Sequence, residues 1–363
     1  MKTAYTFLLF FWYFLVSAQN VFPIKIEDFS DRYEAVIEES IQDTLIRGVY
    51  EDYVPRYIIR VLAKEDKKEI LSAYAMDYPS YLINENGEVL ANIKELPYGS
   101  QSVLIYEDFN FDGNKDLALM NGYQSCYGGP SFDIYLATTS GFEYSKSFSA
   151  LGNEYCGMFT IDEEAQSIHT MVKSGCCWHQ FSEFSVVDNE PKLIRTLTMD
   201  ALSGQEPYFI EEILAEWQGD EVHETVNLLL PYDDRMEVLM FFMLAESEKH
   251  VVIFAVDNIL YYALERPDKS VEFYYPKPYY DENLEETQYG NPFIYNKTSN
   301  TLSFANLDAQ YVIYENEDNF GIKVITKGRE YELKGMVGSK KGSLQNLDSL
   351  PADEFSWGNL KYD

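Results

Sequence analysis

The string Asp108-Phe109-Asn110-Phe111-Asp112-Gly113-Asn114-Lys115-Asp116 carries the clearest chemistry in this chain. Oxygen-bearing side chains recur at its first, third, fifth and ninth places, and a glycine stands sixth, where a curled loop must turn sharply. That spacing suits a hard cation, and Ca²⁺ takes 6–8 oxygen ligands. Asp108, Asn110 and Asp112 supply side-chain oxygens, Asn114 its backbone carbonyl, and Asp116 a carboxylate, directly or through water. Phe109 and Phe111 alternate with the ligands, so both rings can face away from the ion. The twelfth place is Leu119 and not the bidentate Glu of an EF-hand. Asp116–Met120 also reads as a strand, which makes this an EF-hand-like loop in a β context. The alternative is a hairpin loop closed by Asx-turns without metal.

The second chemical string is Ser174-Gly175-Cys176-Cys177-Trp178-His179. Only two other cysteines exist, Cys126 and Cys156. In a strand, successive side chains point to opposite faces. On that reading Cys176 and Cys177 reach different partners, and two crossing disulfides staple the calcium-loop region to this strand. A vicinal Cys176–Cys177 bond is the alternative. Metal binding through these cysteines and His179 is disfavoured, because no CxxC pair is present. Trp178 is expected beside the bridges.

The elements that position these strings read as mainly β. The chain has 363 residues, with 30 Tyr and 23 Phe, and aromatic residues favour pleated, half-buried surfaces. Tyr57–Leu62, Gln101–Tyr106, Asp116–Met120 and Phe132–Leu136 are short, β-branched and aromatic, with turn clusters between them. Met158–Ile161, Ser167–Lys173, Phe181–Val187 and Lys192–Leu197 continue at regular spacing, the pattern of a sandwich, barrel or propeller. Tyr208–Trp217 fits helix or strand. Beyond it, Val222–Leu230, Glu237–Leu244, Val251–Val256 and Ile259–Leu264 open a second β-rich stretch, with hairpin turns at Asp257-Asn258 and Lys327-Gly328. One helix is expected over Tyr33–Arg47, where Val36, Ile37, Ile41, Leu45 and Ile46 follow helical spacing.

The expected organisation is a signal peptide over residues 1–18, a propeller-like or β-sandwich module carrying the calcium loop over 19–200, and a β-rich C-terminal module over 201–363. Lys2, the apolar run Phe7–Val16 and the small residues Ser17-Ala18 make the leader. Its apolar run is short for a membrane span, and no Cys follows it to take a lipid. The expected destination is the periplasm or the medium, where disulfides persist.

The formal net charge is -32, from 28 Lys and Arg against 60 Asp and Glu. Such a chain lacks the clustered cations that phosphate backbones require, so nucleic acid is excluded as a partner. No GxSxG, HExxH, P-loop or GxGxxG string stands in usable context. Sixty acidic residues produce carboxylate pairs by chance, and no pair stands out as catalytic. The expectation is a non-enzymatic protein. The Tyr-rich strings Tyr274-Tyr275 and Tyr279-Tyr280 are candidates for an aromatic binding patch, against ordinary strand packing.

DFNFDGNKDLAL (Asp108–Leu119) resembles the calcium loops of FG-GAP and integrin-type propeller repeats. With SFDIYLATTSGFEYS and SGCCWHQFSEFSVVDNEPKLI, the stretch Ser102–Thr196 resembles a family of bacterial periplasmic, propeller-like immunity proteins of the Xanthomonas type. The resemblance implies a propeller-like fold and Ca²⁺ held by Asp108, Asn110, Asp112, Asn114 and Asp116. It also implies inhibition of a lysozyme-like peptidoglycan hydrolase. No inhibitory contact residue carries over. The absent lipobox departs from a lipid-anchored immunity protein. Removal of residues 1–18 takes away only the +1 of Lys2, so -32 becomes -33. That charge suits a basic cell-wall hydrolase as partner. A surface, adhesion or carbohydrate-associated module is the alternative. Val251–Leu347 resembles a second module of bacterial exported proteins, which names no activity.

Overall fold

The computed structural model describes residues 23–39, 57–75, 80–95, 101–201, 209–257, 259–281, 286–288, 290–317, 319–349 and 359–363. The signal-peptide stretch 1–18 lies outside them. The described chain is mainly β, built from antiparallel meanders. It divides into two compact units, one of residues 1–170 and 185–192, the other of residues 171–184 and 193–363.

The first unit opens with a four-stranded antiparallel sheet of β1 (Ile24–Lys25), β2 (Tyr33–Glu39), β3 (Tyr57–Ala63) and β4 (Glu69–Ala75). β2 corrects the expected helix over its first half, and residues 40–47 lie outside the described part. Ala35 pairs with Val61 and Ile37 with Ile59, and these four side chains are buried. The burial repeats every second residue, as a half-buried strand requires. On the other face Arg60 bridges Glu38 at 2.8 Å and Glu69 at 2.6 Å, tying three strands together. The partner strand Tyr57–Ala63 decides the outcome, because it offers a complementary apolar row that an isolated amphipathic helix would lack.

A second antiparallel meander follows: β5 (Leu104–Glu107), β6 (Asp116–Ser125), β7 (Gly129–Thr138) and β8 (Gly141–Ser145). β6 is covered on both faces, with Leu117, Ala118, Leu119 and Met120 all buried. The helix α1 (Lys146–Asn153) covers one side. It starts where the Ser145 hydroxyl accepts the Phe148 N–H, an ordinary N-cap. Its Phe148 and Leu151 are buried. Gly152 lets the helix press against β7, since a Cβ there would stand 2.8 Å from the Phe132 carbonyl. β9 (Thr160–Asp162) pairs with the start of β10 (Ser167–Ser174). β11 (Trp178–Val187) and β12 (Glu190–Asp200) meet at a turn in which Asp188 and Asn189 both take positive φ, and this tip belongs to the first unit.

In the second unit β12 continues into an antiparallel ladder with β13 (Ile210–Gln218) and β14 (Glu221–Leu229). The stretch that sequence left open between helix and strand is therefore strand. Next come β15 (Glu237–Met243), β16 (His250–Val256), β17 (Ile259–Glu265) and β18 (Val271–Tyr275), then the hairpin β19 (Tyr279–Asp281) and β20 (Glu286–Gln288). β21 (Phe293–Asn296), β22 (Thr301–Asn306), β23 (Ala309–Asn316), β24 (Asn319–Thr326) and β25 (Arg329–Lys334) follow, with β26 (Lys341–Gly342) and β27 (Leu360–Tyr362) closing the chain. One sheet has the order β18-β17-β16-β15-β26 and the other β25-β24-β23-β22-β21-β27. Lys327 and Gly328 take positive φ between Thr326 and its partner Arg329, which makes the two-residue hairpin that sequence indicated. At the other predicted turn Asp257 is left-handed and Val256 pairs with Ile259.

The two sheets bury one core between them. Phe242, Ile253, Leu260, Tyr262 and Tyr275 come from the first, and Phe293, Leu302, Phe304, Ile313 and Ile322 from the second. Phe304 lies at its centre, stacked on Tyr275 at 4.4 Å and on Tyr311 at 4.7 Å. A buried carboxylate closes one end: Glu315 accepts the Lys340 ammonium at 2.6 Å, the Ser343 hydroxyl and the Leu344 N–H. Among the described residues no helix is long and apolar enough to cross a membrane.

Candidate metal centre

The loop 108–115 joins β5 to β6, and the pair Glu107–Asp116 closes its base. Two left-handed residues curl it, Phe111 at φ 61° and Gly113 at φ 87°. Phe109 anchors it from below, buried and edge-on to Phe159 at 5.2 Å. The ring thus faces the core, as the alternation of ligand and phenylalanine requires.

Four of the five singled-out residues lie on this loop, and the fifth, Asp116, is the first residue of β6. Asp108 accepts the N–H of Asp112 at 3.1 Å and of Gly113 at 2.8 Å. Asp112 accepts the Asn114 N–H at 2.7 Å. The Asn110 side-chain Oδ1 accepts the Asp112 N–H at 3.3 Å, and its Nδ2 donates to the carboxylate of Asp112 at 3.3 Å and to Oδ1 of Asn189 at 3.0 Å. Asn189 belongs to the β11–β12 tip and had no signal in the sequence beyond being a turn residue. Asp116 sits deepest, with no exposed surface. It accepts the Phe109 N–H at 2.8 Å and the Ala137 N–H at 2.7 Å, so it joins the loop to β7.

Burial pushes the Asp116 carboxyl up to about 6; the two N–H donors oppose the rise, and the charges of Asp108 and Asp112 add to it. Among the described residues none of the three loop carboxylates has a Lys or Arg in ion-pair contact. Lys115, the cation nearest in sequence, lies instead over the Tyr106 ring at 5.6 Å. The side chains that could hold a cation are therefore Asp108, Asn110, Asp112 and Asp116, with the Asn114 carbonyl. As they stand, the side-chain oxygens accept N–H groups of the loop and, for Asp116, of Ala137 on β7 as well. Among the described residues no three His, Cys, Asp or Glu side chains converge into a metal shell. The donors fit a hard cation in kind: they are all oxygen and carry three carboxylates. Hydrogen-bonded carboxylate oxygens also keep a second lone pair for a ligand.

The loop forms one wall of a cleft of about 440 Å³, where Asn114 and Lys115 face Arg32, Tyr33, Tyr106 and Phe142. Tyr33 meets Phe142 at 5.2 Å, and Arg32 lies over Tyr33 at 5.3 Å. The cleft combines aromatic rings with charged residues of both signs, Arg32, Lys64 and Lys115 beside Asp31 and Glu65, a composition that sequence spacing did not reveal, because it draws on β2, β7 and β8 together.

The cysteines pair differently from the crossing arrangement. Cys126 bonds to Cys156, and Cys176 to Cys177. The premise of alternating faces fails because 175–177 form the turn between β10 and β11, with Gly175 left-handed, and not a strand. The first bridge closes a 30-residue separation around α1. The second is the vicinal alternative. Of the tyrosine strings, Tyr274 packs on Phe209 at 4.6 Å and Tyr275 is buried in the aromatic core, so this pair serves packing.

No protein-family model and no curated protein matches the chain. Among solved structures it is similar to a Xanthomonas type IV secretion system related protein at 19% identity and TM-score 0.41, covering 56% of this chain and 92% of that one. TolB from Acinetobacter baumannii gives 10% identity and TM-score 0.22, with 86% and 66% covered. Prolyl oligopeptidase B from Galerina marginata gives 9% identity and TM-score 0.22, with 86% and 41% covered. None of the three scores reaches 0.5, and neither fold nor function is inferred from them.

Proposed function

We propose that this chain is an exported, non-enzymatic binding protein whose loop 108–116 takes up one Ca²⁺, and whose acidic surface engages a basic cell-wall hydrolase as an inhibitor. The observation that carries the calcium half is the loop itself. Three carboxylates stand along one curl within nine residues, one of them without solvent, and none has a Lys or Arg in ion-pair contact among the described residues. A divalent cation supplies the missing positive charge. On binding, Asp108, Asn110 and Asp112 turn oxygens inward, Asn114 offers its carbonyl, and Asp116 anchors the site to β7. The role is structural: the ion stiffens the hairpin that forms one wall of the Arg32–Lys115 cleft.

The reading predicts a pH dependence with a definite sign. Asp116 is raised from 3.8 to about 6 by folding, so a proton competes with the cation below that value. Calcium affinity is expected to weaken roughly tenfold from pH 7 to pH 5, read by titration calorimetry at the two values. In the calcium-free protein the folded state binds more protons than the unfolded chain between these pKa values, so this group lowers stability as pH rises through the window. Affinity that stays constant from pH 7 to pH 5 would remove Asp116 from the site.

The partner half rests on charge. A chain at -32 accelerates its encounter with a basic protein, and that attraction weakens with salt. The test is residual peptidoglycan cleavage by basic lysozyme-like hydrolases mixed with the calcium-loaded chain. Stoichiometric inhibition that declines as salt rises is the expected result. Full activity of every such enzyme at equimolar chain would refute the inhibitor role and leave the calcium site to be judged separately.

A further inference from the structure

In the second unit the sheet β18-β17-β16-β15-β26 is apolar on both faces. One face meets the aromatic core. The other carries Val252, Phe254, Tyr261 and Ala263, with Phe209, Leu230 and Met236 over them and Phe241 packed against the group. That cover runs out at the β15 edge, where Val238 remains 40% exposed. A groove of about 660 Å³ opens there, walled by Leu229, Leu230, Val238, Phe241 and the Tyr232 ring. The two charged side chains on its lining are Lys269 and Lys341, and no Asp or Glu lines it. In a chain with 60 acidic residues against 28 basic ones, that lining reverses the sign of the whole molecule.

The two lysines differ in their surroundings. Lys269 is steered from behind. It donates to His250 at 3.2 Å and lies 3.9 Å from the buried Glu265, whose same oxygen accepts the Tyr232 hydroxyl at 2.8 Å. Its charge is therefore partly matched. Lys341 pairs through its backbone with Phe241 at the sheet edge, and its side chain has no hydrogen bond or ion pair among the described residues. The unmatched positive charge of the groove rests on Lys341, directly beside the apolar wall. Ligand sites are commonly apolar clefts with a few placed polar groups, and this one has the volume and the charge for a particular chemistry.

We propose that this groove binds a small amphipathic carboxylate, with its apolar body along Leu229, Leu230, Val238 and Phe241 and its head group at Lys341, with Lys269 beside it. The test is calorimetric titration of the full chain with octanoate, octylammonium and acetate. Octanoate is expected to bind with one-to-one saturation. Octylammonium, which has the same body and the opposite head, is expected about tenfold weaker or worse. Acetate, which has the head alone, is expected not to saturate. Lys341→Glu reverses an exposed charge, and should weaken octanoate about tenfold without moving the melting temperature. Val238→Asp at the half-exposed wall should do the same through the apolar contact. No saturable octanoate binding would overturn the proposal. So would equal binding of octanoate and octylammonium, or an unchanged affinity in Lys341→Glu.

Discussion

Asp116→Ala is expected to lower the stability of the first unit by about 2–4 kcal/mol, because two buried backbone N–H groups lose their acceptor together. Phe109 N–H and Ala137 N–H both end on this carboxylate, one on each oxygen. The first fixes the loop and the second fixes it to β7. Asp116→Asn does not restore the pair, since an amide offers one acceptor and one donor, and the donor then faces an N–H. The neutral residue does relieve the burial of charge that raises the Asp116 pKa, so its loss is smaller than that of Ala. Urea unfolding of the two variants checks the order wild type, Asn, Ala. Equal stability of Ala and wild type would mean that Asp116 does not hold the loop.

Phe304→Ala is expected to cost about 3–5 kcal/mol in the second unit, the range for removing a large buried aromatic side chain. Phe304 is 3% exposed. It touches rings from both sheets: Tyr275 at 4.4 Å and Tyr262 at 5.2 Å from one, Tyr311 at 4.7 Å and Phe293 at 5.2 Å from the other. Truncation leaves a hole that four rigid rings cannot fill without leaving their own contacts. Phe304→Leu keeps most of the volume and should cost less than half as much. Denaturant midpoints of the two variants measure this, and similar losses for Ala and Leu would show that the rings matter through geometry and not through volume.

Much of this β organisation is written in local sequence. Val251–Val256 is a continuous apolar run, and such runs belong to strands covered on both faces; all six residues are buried. Lys327-Gly328 demanded positive φ and has it. The string Asp108–Asp116 likewise folds as a curled hairpin loop around Gly113 with Phe109 turned to the core, because its turn chemistry is local. The failures occurred where a distant partner decides. Tyr33–Arg47 satisfies helical spacing through Val36, Ile37, Ile41, Leu45 and Ile46, yet over Tyr33–Glu39 β3 supplies the row of neighbours that makes a strand. The cysteine pairing departs for a local reason instead: Gly175 turns the chain where a strand is expected, and the adjacent thiols of Cys176 and Cys177 bond to each other. α1 escaped notice since its apolar positions, Phe148 and Leu151, are few and its start signal is a single serine. The Arg32–Lys115 cleft and the Lys341 groove each gather residues from strands far apart in sequence, which no spacing rule links.

The most direct test of the calcium loop is titration of the chelator-stripped full chain with Ca²⁺ by calorimetry at pH 7, with Asp112→Ala alongside. Asp112 is exposed at the tip of the curl, so the variant removes a ligand without opening the core. One saturable site in the wild type, a melting temperature that rises with Ca²⁺, and neither effect in Asp112→Ala would establish the loop as the metal centre. A wild type that takes up no Ca²⁺ and melts at the same temperature with chelator would reduce Asp108–Asp116 to a hairpin loop closed by its own hydrogen bonds.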